Sequence, residues 1–264
     1  MKICKAILAL AFAVVASAQP ADEILRQARQ AMGGAKLAAV EALSVSGEAL
    51  NNGSITSDVT LSIQLPDKFL REQTVQLAAS MGAGLSPEMA AQVGSPTVVD
   101  CLNGDDQWSD IRMSADSQME SGTIERAAGS MLTSRRQDLR GTFTRYLLAL
   151  LLADRPGFPF QWAVVDHIPT PDGGSAYALE GKGPGDFAIR LFIDSKTYLP
   201  MMMAHETGDT VTQIWLSKYK VEDGVNMPHL MSWMQGSRET ERLEIKKVKI
   251  NPKFPPGKFV KGGK

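Results

Sequence analysis

AIRLFIDSKTYLPMMMAHE (188–206), TVTQIWLSKYKVEDGVNMPHLMSWMQG (210–236) and SRETERLEIKKVKINPKF (237–254) form the stretch whose reading decides the fold. Each is rich in β-branched, aromatic and long apolar residues. They are interrupted only by short turn signals, Asp194-Ser195-Lys196, Thr207-Gly208-Asp209, Glu222-Asp223-Gly224 and Gln235-Gly236-Ser237. None of these gaps is long enough to hold a crossover helix, so successive strands must run antiparallel. The stretch predicts an antiparallel meander of four or five strands that forms the floor of the molecule.

Working upstream, strand patterns recur at Leu43 to Leu50, Ser54 to Leu65, Lys68 to Leu77, Thr97 to Leu102, Gln107 to Met113, Phe160 to His167 and Ser175 to Lys182. The turn signals Asn51-Asn52-Gly53, Pro66-Asp67 and Asn103-Gly104-Asp105 separate the first five. Two segments carry helical spacing instead. Asp22 to Val40 puts Ile24, Leu25, Ala28, Ala31, Met32 and Leu37 on one face, with Gly33-Gly34 as a possible break. Ile124 to Ala153 puts Ile124, Ala128, Met131, Leu132, Leu139, Phe143, Tyr146, Leu147, Leu150 and Leu151 on one stripe, with Gly141 as a place where it could split. Its end, Tyr146 to Leu152, is apolar all round and predicts a helix enclosed on every side. Ala78 to Ser95, rich in Ala, Met and Gly, breaks the strand pattern and reads as an insertion or flap over the mouth of the sheet.

The N-terminus reads as an export signal. Lys2 and Lys5 precede the apolar run Ala6 to Ala16, and Ala16-Ser17-Ala18 is an A-x-A cleavage site. A run this short does not span a ~30 Å hydrocarbon core. Residues 1–18 are therefore expected to be removed, leaving a single domain over 19–264. Cys4 leaves with the signal, so Cys101 remains alone and no internal disulfide can form. The formal charge of −1 argues against nucleic acid as a partner.

Residues that could carry chemistry do not assemble into a catalytic pattern. His167, His205 and His229 lack metal spacing, and His205-Glu206 lacks the second histidine of a zinc-protease helix. The three read as structural histidines satisfied by hydrogen bonds, with a polar contact at a cavity rim as the alternative for His229. Asp105, Asp106 and Asp110 lack the order of a calcium loop. Gly181-Lys182-Gly183-Pro184-Gly185 lacks the ending of a phosphate loop, and no G-x-S-x-G elbow occurs at Gly82 to Ser86. The reading is a non-enzyme with no metal and no cofactor. More informative is the concentration of adaptable side chains, Met201-Met202-Met203, Met227, Met231 and Met234, interleaved with Trp215, Tyr219 and Trp233. They line an apolar ligand site or fill an ordinary core, and the sequence leaves both open.

Phe192-Ile193-Asp194 followed by Tyr198-Leu199-Pro200, the step Val221 to His229, and the close Ile245 to Pro252 resemble strand-and-turn motifs of LolA-like lipoprotein-carrier proteins and their periplasmic relatives. The motifs cover about the last quarter of the chain. The resemblance implies a mainly β (α+β) fold, a curved half-open antiparallel sheet or half-barrel of about 11–12 strands, with helices in its concave face. It implies a periplasmic carrier or binding protein for acyl-chain ligands, acting as a monomer, with an envelope membrane protein as a further partner; secretion is the alternative location. The adaptable strand residues Met202, Trp215, Met231 and Trp233, with Leu147 and Leu151 of the covering helix, are the residues expected to contact such a ligand. Arg71, Arg190 and Lys218 stand among apolar strand neighbours; in the lipoprotein carrier an inner-face arginine helps keep the cavity closed, and the resemblance matches none of the three to it. The other functional class is an envelope interaction protein that docks a partner through a sheet edge or the flap at 78–95.

Overall fold

The computed structural model describes residues 20–76, 94–113, 129–153, 159–170, 172–184 and 187–262. The expected signal at 1–18 and nearly all of the expected flap lie outside the described residues, as does the stretch from Ile124 to Ala128.

Twelve strands form one antiparallel sheet. Five run outward in chain order: β1 (Ala42–Asn51), β2 (Ile55–Gln64), β3 (Lys68–Val75), β4 (Thr97–Asn103) and β5 (Asp106–Arg112). On the other side β6 (Gln161–Pro169), β7 (Ser175–Lys182), β8 (Ala188–Asp194), β9 (Pro200–Thr207) and β10 (Thr210–Ser217) run back inward. A short hairpin of β11 (Lys220–Glu222) and β12 (Val225–Met227) leaves the sheet before β13 (Leu230–Gln235) and β14 (Arg238–Ile250) complete it. The spatial order β5-β4-β3-β2-β1-β14-β13-β10-β9-β8-β7-β6 shows how the two halves meet. The first and last strands pair at the centre, with Leu43 opposite Ile250 and Leu50 opposite Arg242. β5 and β6 are the two edge strands and do not pair with each other, so the sheet is a curved half-barrel that does not close. The meander read from 188–254 is present, with the β11–β12 hairpin as its one excursion.

Four helices accompany the sheet among the described residues: α1 (Ala21–Ala31), α2 (Ala35–Ala38), α3 (Gly129–Gln137) and α4 (Leu139–Leu151). In α1, Asp22 and Glu23 complement the positive end of the helix dipole, and Ile24, Leu25 and Ala28 form its buried face. The break expected at Gly33-Gly34 is where α1 ends. Gly33 has φ 134°, and a Cβ there would lie 2.7 Å from the carbonyl oxygen of Gly224. Only glycine permits both the left-handed backbone and this approach of the β11–β12 hairpin, which the Asn226 amide fastens by donating to the Met32 carbonyl at 2.8 Å.

The break expected at Gly141 falls elsewhere. α3 gives way to α4 at Asp138, whose non-helical backbone precedes the first turn of α4. Gly141 is buried inside that turn, where a Cβ would meet Asp138 Oδ1 at 2.6 Å and the Phe187 ring at 3.2 Å. Its smallness serves close packing, not interruption. α4 ends at Leu152 with φ 46°, and Arg29 of α1 donates from Nε to the Leu152 carbonyl at 3.1 Å. A cation thereby sits on the negative end of α4 and joins the two helices.

The main core lies between α4, α1 and the concave face. Leu147, Leu148, Leu150 and Leu151 of α4 are buried against Leu61 and Ile63 on one sheet half and Leu191, Met203 and Ile214 on the other. The expected enclosure of the Tyr146–Leu152 end is therefore what the structure shows. A smaller cluster sits on the convex face, where the tail after β14 folds back and Phe254 and Phe259 pack on Leu70, Val99 and Cys101. The Cys101 thiol donates to the Phe259 carbonyl at 3.3 Å, and burial pushes its pKa up to about 12. It is a packed, unreactive thiol.

Candidate functional site

Alternation along the strands decides which side chains meet in the concavity. Ile214 is paired with Met203 on one side and Trp233 on the other, and Leu216 is paired with Met231. These residues share the helix-facing side. Trp215 is paired with Met202, which in turn pairs with Phe192, and these occupy the opposite, convex side. The six residues expected to line one site are thus not brought together. Met231 is buried in the concavity and Trp233 packs partly buried beside it. Leu147 and Leu151 are buried in the same core further along α4. Met202 and Trp215 are excluded by their one-residue offset, and Trp215 is 38 % exposed on the outer face.

A cavity of about 380 Å³ lies where α3 and the first half of α4 face β3, β4, β9, β10, β13 and β14. Its apolar wall is Leu139 and Tyr146 from α4 with Ile214, Met231 and Trp233 from the sheet. An aromatic series crosses from sheet to helix and back. Phe69 stacks on Phe143 and Tyr146 at 5.3 and 5.7 Å between ring centres, and Tyr146 meets Trp233 edge-on at 6.1 Å.

The other wall is charged. Arg71 on β3 donates from Nη2 to Glu241 Oε1 on β14 at 2.8 Å. Arg135 on α3 donates from Nε and Nη2 to Asp100 on β4 at 3.0 and 2.7 Å, and Asp100 also accepts the Ser109 hydroxyl at 2.9 Å. Arg145 pairs with Asp138 at the start of α4. Arg71 and Asp100 are almost wholly buried. Burial works against the Arg71 charge, but Glu241, with Tyr146 and Asp100, outweighs it and raises the pKa, so the guanidinium stays charged. Burial first, and then Glu241, pushes the Tyr146 hydroxyl up to about 12 against the opposing pull of Arg71. Two buried polar atoms on this wall, Arg71 Nε and His205 Nδ1, have no hydrogen-bond partner among the described residues.

His205 was expected to be a satisfied histidine and is not. Burial, reinforced by the Arg145 charge, lowers its pKa to about 4, so it is neutral at pH 7. His229 is the satisfied one, with Nε2 3.0 Å from Glu222 Oε1 and Nδ1 3.2 Å from the Met227 carbonyl. It pins the β11–β12 hairpin and is no rim residue. Of the three candidate inner-face cations only Arg71 faces inward. Arg190 and Lys218 are exposed and lie near Glu180 and Glu244 at 3.8 and 3.6 Å.

No protein-family profile matches the chain, and no curated protein matches its sequence. Solved structures do match its shape. A DUF1329 family protein from Desulfovibrio piger superimposes with TM-score 0.53 at 9 % identity, covering 93 % of this chain and 99 % of that one. An outer-membrane lipoprotein-sorting protein domain from Vibrio parahaemolyticus gives 0.50 at 10 % identity, with coverages of 90 % and 95 %. A LolA superfamily protein from Nitrosomonas europaea gives 0.49 at 12 % identity, with coverages of 93 % and 99 %.

The likeness is one of fold. It extends over nearly the whole of this chain. Among the described residues no helix is long and apolar enough to cross a membrane, and no three His, Cys, Asp or Glu side chains converge as metal ligands would.

The charged wall was only partly visible beforehand. Arg71 stood out as a cation among apolar strand neighbours. Asp100 carried the same signal, being flanked by Val99 and Cys101, as did Glu241 two residues before the buried Leu243. Each lies at an inward position of its strand, which alternation alone could have indicated.

Proposed function

We propose that the protein is an envelope carrier or binding protein for lipid-like ligands, which it receives between α4 and the concave face of the sheet. The observation that carries this reading is the unfilled 380 Å³ cavity walled by Tyr146, Ile214, Met231 and Trp233, directly continuous in sequence with the apolar end of α4. A cavity of that size with an apolar wall and a few convergent polar groups is what a small amphiphile requires. The lipoprotein-sorting fold supports a carrying role in the periplasm. Residues 1–18 would serve as the cleaved export signal, and the remainder would act as one domain.

The ligand-contacting set reduces to Met231 and Trp233 at the cavity, with Leu147 and Leu151 as the helix residues that an entering chain would displace. The role is binding, not catalysis. Asp100, Asp138 and Glu241 are each held by an arginine, which makes them charge partners and not free acids or bases. The test is a calorimetric titration with saturated fatty acids of increasing length. Each methylene taken from water contributes ~0.8 kcal/mol, so affinity should rise about fourfold per carbon until the cavity is full. No saturable binding at any length would refute the reading.

A docking role has one observation in its favour. Edge strand β6 is exposed over most of its length, with Val165 48 % exposed, and offers unpaired backbone groups to a partner strand. A protein that fails the titration yet captures a defined envelope partner, and loses it on proline substitution in β6, would support this role instead.

A further inference from the structure

The charged wall of the cavity is balanced in charge but not in hydrogen bonding. Arg71, Arg135 and Arg145 face Glu241, Asp100 and Asp138 one to one. A guanidinium carries five N–H donors and no acceptor, and these ion pairs engage only some of them. The deficit is most acute at Arg71, which is almost wholly buried. Its Nη2 serves Glu241, while its Nε–H has no acceptor among the described residues. A buried, unmet charged donor costs free energy unless something else supplies the acceptor. The same wall holds His205, whose Nδ1 is likewise unmet. The apolar lining comes from Ile214, Met231 and Trp233, while Thr142, Tyr146 and Thr212 bring hydroxyl groups, that of Tyr146 bonded to Arg71.

We infer that the cavity reads the head group of its ligand: it is a site for a single-chain fatty acid whose carboxylate accepts from Arg71 Nε–H while the chain lies along Trp233, Met231 and Ile214. This rests on the lipid-binding reading above and adds to it a preference for an acceptor-rich, anionic head. A carboxylate suits the wall because it has about four lone-pair sites and no donor, the complement of a donor surplus. Because Glu241 already neutralises the guanidinium, the preference for an ionised head comes from the stronger acceptor oxygens of a carboxylate. Capacity limits the chain. At ~30 Å³ for each water-sized group, a space of this size holds roughly a dozen non-hydrogen atoms. Decanoate is of that size.

The experiment compares decanoate with decanol by calorimetry on the mature full-length protein at pH 7.5, where the acid is ionised, and repeats the comparison in Arg71→Lys. Lysine keeps a cation opposite Glu241 and removes the Nε–H donor. Decanoate should bind at least tenfold more tightly than decanol, and the ratio should fall several-fold in Arg71→Lys, which keeps the charge and loses the donor at that position. Equal binding of the two ligands to the unmodified protein would overturn head-group recognition while leaving the lipid-binding reading intact. Failure of both to bind would overturn both readings. A ratio unchanged in a folded Arg71→Lys protein would overturn the assignment to Arg71. The comparison on the unmodified protein decides the matter even if that variant does not fold.

Discussion

The two halves of α4 lie in the same concavity and are packed in opposite ways. From Leu147 to Leu152 the helix is buried between the two sheet halves in apolar side chains, and only its last carbonyl, at Leu152, meets a charged group, Arg29. From Asp138 to Tyr146 one face turns to a cavity bordered by three arginine–carboxylate pairs, with Thr142, Arg145 and Tyr146 contributed by the helix itself. The first half holds the half-barrel together, and the second leaves room. Close packing provides stability, whereas a space with unmet donors provides a place for something else. The difference shows that a single helix can both hold an open sheet in shape and keep part of its concavity available.

The largest effect should come from placing a charge in the sealed half. Leu147→Asp buries an unpaired carboxylate and should destabilise the fold by about 4 kcal/mol or more. Thr142→Ala, one turn away in the open half, should cost less than ~1 kcal/mol. Chemical denaturation of the two variants measures the contrast, and similar losses in both would erase it.

Next comes the ion pair that crosses the open half. Arg71→Met strands Glu241, which is partly exposed, so the cost should be about 2–4 kcal/mol, toward the low side of what breaking a buried pair entails. Adding Glu241→Gln should recover part of it, because the stranded charge and not the lost contact dominates. An equal or greater loss in the double variant would contradict this.

A smaller effect is tied to pH. His205 titrates at about 4 when folded and near 6.5 when unfolded, so between these values the unfolded chain holds more protons. Acidification from pH 7 to pH 5 therefore favours unfolding. Allowing for the partial exposure of the ring, the loss should be about 1 kcal/mol, or roughly 2–4 °C in melting temperature. His205→Gln should show a correspondingly flatter decline over the same range, and an identical decline in both proteins would remove His205 from the explanation.

The fold was legible in the sequence where periodicity and turns act locally. The meander, the break at Gly33-Gly34 and the enclosure of Tyr146 to Leu152 all follow from spacing and glycine geometry. The helix boundary was misplaced because Gly141 offers a flexible backbone in isolation, while its role depends on how closely Asp138 and Phe187 approach it. The site was legible only in part. Met202 and Met203 look alike in sequence, and a single residue of register puts one outside and the other in the core. Register is fixed by the flanking strands β8 and β10, so the Met201–Met203 triplet alone cannot reveal it. The pairing of Arg71 with Glu241 spans 170 residues and exists only because the first and last strands meet at the centre of the sheet.

The distinction between the inner and outer face gives the most direct test of the account. Trp233 borders the cavity and Trp215 lies on the convex side, though the two are separated by one strand-to-strand step. Titration of decanoate against the intrinsic fluorescence of the wild type, Trp215→Phe and Trp233→Phe proteins reads which tryptophan senses the ligand. The account predicts a saturable emission change in the wild type, kept in Trp215→Phe and abolished in Trp233→Phe. A change that survives Trp233→Phe, or no change in any of the three, would contradict it.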